Sequence, residues 1–163
     1  MIKNQFEVMA AYHAAMNRQV FASCEALTES QLKDDSGLFF KSIFGTLNHM
    51  LLTDRIWLAT FQGKKYDYES LDQIIFSAFT ELKSERAKTD VDIAAWLVHV
   101  TPEQLQGRFH DRLTFPLWIA VTHFFNHQTH HRGQISAVLG QQAIDYGTTD
   151  LPWVPEALAA IKS

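Results

Sequence analysis

The chain has a single cysteine, Cys24, and so has no internal disulfide. In an amphipathic N-terminal segment that thiol reads as a small buried hydrophobe and not as a nucleophile, and the compartment reads as reducing. Basic residues are neither abundant nor clustered: 14 Lys and Arg stand against 18 Asp and Glu, a formal net charge of −4. The electrostatic footprint of a nucleic-acid binder is missing, and nucleic acid is not an expected partner. No apolar run approaches the roughly 18 residues that span a bilayer. Met1 to Ala10 carries Glu7 and several polar residues where a secretory signal would have a continuous apolar stretch. The expectation is a cytoplasmic, soluble protein with no membrane attachment. Internal repeats and low-complexity tracts are absent, and 163 residues with 47% hydrophobic content suit one domain, 1–163, able to fold without covalent staples.

What the chain does have is helical periodicity. Ile2, Phe6, Met9, Met16, Val20, Cys24 and Leu27 recur mostly at three- and four-residue steps, which predicts a first helix over about 3–26. The break at Thr28 to Gly37 contains Thr28-Glu-Ser-Gln31, a capping-box spacing that predicts a short helical turn. A second helix should start near Phe40 to Ser42 and run to Phe61, with Gly63 just past its end. Gly63 to Ser70 reads as a loop. A third helix is expected from about Leu71 to Leu97, either continuous or broken near Thr89. Thr101-Pro102-Glu103 has the N-cap and first-turn proline of one further turn. Gly107 to Phe115 suits a short hairpin or an extended link. Pro116 should open a last long helix that runs to Leu139 and stops at Gly140. Asp145 to Pro155 is expected to be ordered, because Leu151, Trp153 and Val154 are costly to leave in water. Four helices with moderate links make an all-α four-helix bundle, and bundles build metal sites from side chains on facing helices.

Four of the eight histidines fall in His123-Phe-Phe-Asn-His127-Gln-Thr-His130-His131, and a fifth, His49, lies at the edge of the second helix's apolar stripe. At about 100° per residue, His123 and His131 lie about 40° to either side of His127, and His130 about 60° round on the His123 side. Neutral imidazoles sharing one face bind borderline cations such as Zn²⁺, Ni²⁺ and Fe²⁺. Spacing alone permits a set of His123, His127 and His130 as well as one that includes His131. Gln128 stands where the metalloprotease His-Glu-x-x-His motif has its general base, so the peptidase reading fails. No Glu-x-x-His occurs on the principal helices, which favours one metal over a di-metal carboxylate centre. His13, His99 and His110 read as structural or solvated. Asp54 points about 140° away from His49, which suits a buried salt bridge or an outer position around the ion better than direct ligation. Arg132 suits pairing with a core carboxylate more than with an anionic substrate. Gly133, inside a helix at a cost of roughly 1 kcal/mol relative to alanine, suggests close approach by another helix.

Ser42-Ile-Phe-Gly-Thr-Leu-Asn-His49-Met-Leu-Leu-Thr-Asp54-Arg55-Ile-Trp57-Leu, followed by Asn126-His127-Gln-Thr-His130-His131-Arg132-Gly133-Gln134, resembles the DinB family of metalloproteins in order and spacing across nearly the whole chain. Tyr12 through Asn17 resembles the family's first-helix pattern, with Met16 departing from it, and Asp150 resembles a late aspartate common there. The resemblance implies a four-helix bundle of the DinB/YfiT type, often a homodimer. It also implies one divalent metal held by a histidine of the second helix and a histidine pair of the last long helix, by position His49, His127 and His131.

Three histidines around zinc, nickel or iron leave room for water or a substrate atom, the pattern of a catalytic centre. Relatives in the wider superfamily resembled here include transferases and isomerases that use low-molecular-weight thiols. The leading expectation is a metal-dependent enzyme of thiol-transfer or hydrolytic type acting on a small molecule, with a low-molecular-weight thiol as cosubstrate in the first case. The competing one is a non-catalytic, stress-related metal-binding protein, as the damage-inducible name of the family suggests. A plain helical dimerisation module with coincidental histidines is the third. The sequence assigns no general base.

Overall fold

Apolar residues at three- and four-residue steps wind the chain into four long helices, and short polar segments set where it turns between them. The computed structural model describes residues 2–109 and 115–161. Helix α1 spans Ile2–Cys24, α2 Glu29–Lys33, α3 Ile43–Phe61, α4 Phe79–His99, α5 Pro102–Gln106 and α6 Leu117–Gln141, followed by a 3-10 turn at Leu151–Trp153 and α7 at Pro155–Ala159. α1 packs against α4 and α6, and α3 packs against the same two, so the long helices enclose a common core as a bundle. None of the described helices is long and apolar enough to cross a membrane.

The caps follow the sequence. Thr28 and Thr101 each receive the backbone N–H three residues on, while Gln31 and Gln104 reach back to the cap residue, giving complete capping boxes for α2 and α5. Ser42 caps α3 by accepting from the N–H of Gly45. At the two ends of the 107–115 link the chain pairs antiparallel: the N–H of Phe109 donates to the carbonyl of Phe115 and that of Leu117 to Gly107, while residues 110–114 between them lie outside the described residues. His110 lies outside the described residues.

The core is layered along the bundle axis. Val20, Phe21, Cys24, Leu47, Met50, Leu51, Leu82, Ile135 and Leu139 fill one end. Phe6, Ala10, Leu58, Ile93, Leu97, Val121, Phe124 and Phe125 fill the other. Between them in the order of every long helix lie buried polar residues: His13 and Asn17 on α1, Asp54 on α3, Arg86 and Asp90 on α4, and Arg132 on α6. Cys24 is fully buried, and burial pushes its thiol up to about 12, which keeps it protonated and unreactive.

The structure corrects four expectations. The third helix starts at Phe79, not at Leu71, and is unbroken through Thr89. The side chain of Asn48 accepts from the N–H groups of Ile75 and Phe76, both at 3.0 Å, and His49 engages the carbonyl of Leu71. Backbone groups so committed to α3 cannot join a helical ladder. Gly140 does not stop the last helix, which runs to Gln141; the left-handed residue is Ala143, at φ 56°. Its N–H donates to Gly140 and that of Ile144 to Leu139, which closes the helix in a Schellman turn. Gly133 is met by no approaching helix, since a Cβ built there touches nothing within 4 Å. In the ordered tail Val154 is buried, yet Trp153 is 72% exposed.

Candidate metal centre

Three imidazoles meet where α3 faces α6. His49 comes from the first half of α3 and is buried, while His127 and His131 occupy successive turns of α6. The Nε2 atom of His127 lies 3.3 Å from that of His49 and 3.1 Å from that of His131. Each of the three residues offers a ligand atom, and these atoms lie within 4.8 Å of one another.

The outer ring nitrogens determine what the inner ones can do. His49 Nδ1 lies 2.8 Å from the carbonyl oxygen of Leu71. A carbonyl only accepts, so Nδ1 carries the proton and Nε2 presents a lone pair. His131 Nδ1 stands likewise 2.8 Å from Oε1 of Gln134, one turn along α6. Three nitrogens therefore converge with room for at most one proton among them. Such a cluster is repulsive by itself and relieved by a cation. Two nitrogens bonded to one zinc ion at about 2.0–2.1 Å in a tetrahedron stand roughly 3.3 Å apart, close to the two separations from His127, 3.3 and 3.1 Å.

Electrostatics points the same way. Burial lowers the pKa of His49 against the smaller opposing effects of Leu71 and Asp54. His127 is pushed down to about 4, first by burial and then by repulsion from His131 and His49. His131 is also pushed down to about 4, mainly by burial. All three rings are neutral at physiological pH, the state that donates to a metal.

Phe40 forms a wall of the site. Its ring stacks on His49 with centroids 3.7 Å apart and planes 19° apart, and meets His131 edge-on at 5.6 Å. The turn that seats Phe40 has Lys41 at φ 68° and needs Gly45, where a Cβ would lie 2.3 Å from the Phe40 carbonyl oxygen. His123 and His130 remain exposed at the rim: His123 lies 5.8 Å from His127 and 5.4 Å from Trp57, ring to ring, and His130 lies 5.0 Å from His131. Of the two sets open to spacing, the structure brings together His49, His127 and His131 and leaves the alternative apart. Gln128 points away into the core, where its amide donates to the carbonyl of Met50 at 3.0 Å and ties α6 to α3.

One turn deeper, Asp54 sits in the polar layer. Arg86 donates to its Oδ2 at 2.6 Å and pairs with Asp90 at 2.8 Å. His13 Nε2 lies 3.2 Å from Asp54 and 3.1 Å from Asp90, and Asn17 donates to Asp90 at 2.9 Å. Arg132 lies 3.1 Å from His13 Nδ1, and because a guanidinium only donates, that nitrogen is a lone pair and Nε2–H faces the carboxylates. Burial would raise the pKa of Asp90, but Arg86, His13 and Asn17 together more than offset this and hold it low. Asp54 is thus the buried ion-pair member expected. Arg132 is not: Arg86 takes both carboxylates, and burial pushes the Arg132 guanidinium down to about 10. Sequence reasoning passed over Arg86 and Asp90, although an Arg and an Asp four apart on a helix face were a visible signal. The carbonyl of Leu71 left no signal at all, because any residue has one.

The chain is similar throughout its length to proteins of one family. The family model described as "DinB family" matches residues 1–159. Protein DinB of Bacillus subtilis strain 168 is 24% identical over 149 residues, which cover 85% of this chain and 87% of the relative. A crystal structure of a DinB-like protein from Bacillus cereus ATCC 10987 superposes with a TM-score of 0.60 at 19% identity, covering 82% of this chain and 89% of the other. That likeness speaks to the fold, while the match over 1–159 settles the kinship: the chain belongs to the DinB family.

Proposed function

We propose that this protein is a metal-dependent enzyme acting on small molecules, of thiol-transfer or hydrolytic type, in which His49, His127 and His131 hold one divalent cation, zinc, nickel or iron. The observation that carries this reading is the set of Nε2 separations, 3.1 and 3.3 Å, among rings whose outer nitrogens are engaged by Leu71 and Gln134. Three neutral ligands leave a coordination position for water or substrate, as in catalytic zinc sites. When bound, the cation supplies Lewis acidity and lowers the pKa of a coordinated water or thiol toward neutrality.

The protein's own residues do the rest. Leu71 and Gln134 fix the tautomers and aim of His49 and His131. Phe40 covers one side of His49 and excludes water there, while His127, only partly buried, leaves the site reachable from solvent. A low-molecular-weight thiol is the proposed cosubstrate of the transfer chemistry. We place the enzyme in the cytoplasm as a homodimer of single-domain subunits, with no nucleic-acid or membrane partner. Ligands drawn from both α3 and α6 also favour a second reading, in which the cation ties these helices together without catalysis.

Metal analysis of untagged protein is expected to give one equivalent of divalent cation, lost in His127→Ala. Absence of stoichiometric metal would refute both readings. Assays with glutathione, bacillithiol and mycothiol against a panel of electrophiles, and with hydrolytic probes, separate them: activity abolished by chelation supports the enzyme, and inactivity with every probe supports the binding protein.

A further inference from the structure

Arg132 is only 8% exposed, yet among the described residues no carboxylate lies against its guanidinium. Its hydrogen-bond partners are all neutral, His13 Nδ1 at 3.1 Å, Asn17 Oδ1 at 3.3 Å and Thr129 Oγ1 at 3.2 Å, and its guanidinium carbon lies 5.8 Å from the centre of the Tyr12 ring. These bonds do not use all of its N–H donors. Asp54 and Asp90 act on its charge through space and not in contact, because Arg86 occupies both directly. Buried charges are ordinarily paired in contact, so a guanidinium in this state has capacity for an anion.

It also has a place for one. Arg132 lines a cavity of about 210 Å³ between α1 and α6, with Tyr12, Met16 and Val20 as its apolar wall. That is the space of about seven waters at roughly 30 Å³ each, enough for a short-chain or monocyclic acid. The roof is segment 146–149, held by Tyr12, whose hydroxyl donates to the carbonyl of Thr149 at 2.6 Å, and by Gln19, which donates to that of Thr148 at 2.9 Å. Gly133 forms part of the floor. In mid-helix it sacrifices helix propensity, and a Cβ built there touches nothing within 4 Å, so no neighbouring helix needs its missing side chain. Thr129, Arg132, Gly133 and Ser136 fall on the side of α6 turned away from His127 at about 100° per residue, so the cavity does not depend on the metal reading.

We propose that this cavity binds a small organic carboxylate, its charged end on the Arg132 guanidinium and its hydrocarbon part against Tyr12, Met16 and Val20. Benzoate and hexanoate are the probes, with benzamide and hexanamide as neutral controls of the same shape, titrated into the purified protein while backbone amide resonances are followed. The carboxylates should shift the amides of Thr129, Gly133, Ser136 and segment 146–149 saturably, and the neutral controls should bind about tenfold weaker or less. Gly133→Leu and Ser136→Met each put a side chain into the cavity and should abolish these shifts, while Gly133→Ala should fold with an equal or higher Tm and still bind. Metal content should be the same in all three variants. The idea is overturned if neither acid gives a saturable shift in the wild type, if the amides bind as well as the acids, or if binding survives in whichever cavity-filling variant remains folded.

Discussion

The Nε2 atoms of His49 and His127, 78 residues apart in sequence, stand 3.3 Å from one another. Neutral imidazoles at this distance, with a third at 3.1 Å, repel unless a proton or a cation sits among them. A cation there also joins α3 to α6, so its removal is felt by the fold.

Chelation is therefore expected to lower the thermal midpoint. A ligand at 1,000 times its Kd contributes about 4 kcal/mol to the folded state. Calorimetry of the metal-loaded protein with and without EDTA should show the drop, with recovery on adding back metal. In His127→Ala the midpoint should no longer respond to either addition.

Acid should destabilise the metal-free protein through the same rings. His127 and His131 titrate at about 4 in the folded chain against an ordinary 6.5, so between these values the unfolded chain binds more protons. Their contribution is complete above about pH 6.5 and is lost as the pH falls toward 4. Urea midpoints of the apoprotein measured from pH 7.5 to 4 should decline through this window. The decline should be shallower in a His127→Gln, His131→Gln double variant.

The Asp54–Arg86 pair, 2.6 Å apart with both residues almost fully buried, should be the most sensitive point of the polar layer. Asp54→Ala strands a buried guanidinium beside Asp90 alone, and the expected loss is about 3–5 kcal/mol by urea denaturation. Breaking the exposed pair Lys65–Asp67 should give no resolvable change on the same assay.

Ala143→Gly should stabilise the protein. A left-handed alanine at φ 56° costs about 1 kcal/mol, and glycine adopts that conformation freely. A thermal midpoint raised by a few degrees, with unchanged metal content, is the expected result.

Gly45→Ala should do the reverse and also weaken the site. A methyl group 2.3 Å from the Phe40 carbonyl oxygen forces apart the turn that lays Phe40 on His49. The expected cost is about 1–3 kcal/mol of overpacking, and metal affinity measured by competition with a chromophoric chelator should fall with it.

Most of the bundle was legible because its signals are local. The capping boxes at Thr28 and Thr101, the cap at Ser42 and the spacing of apolar residues in α1, α3 and α6 depend on residues within one or two turns of each other. The misreading of the third helix comes from a competing contact far away in sequence. Leu71 to Ala78 has helical periodicity, but Asn48 and His49 hold its backbone. Gly140 looks like a helix stop, but the chain turns three residues later, where Ile144 can still pack with Leu139 in the core. The resemblance to the family, not the spacing, separated His131 from His130. In space the difference is that His131 is buried toward His49 and His130 is exposed.

From its residues alone this protein is helical, lacks the charge pattern of a nucleic-acid binder, and carries histidines one turn apart on one helix face, because periodicity, charge and i, i+4 spacing are properties of a few neighbouring positions. Only the tertiary structure decided how close the ring of His49 comes to them, which proton His49 and His131 keep, and that Arg86 and not Arg132 takes the buried carboxylates. Those outcomes rest on which groups packing brings into contact across tens of residues, and no local pattern encodes that proximity.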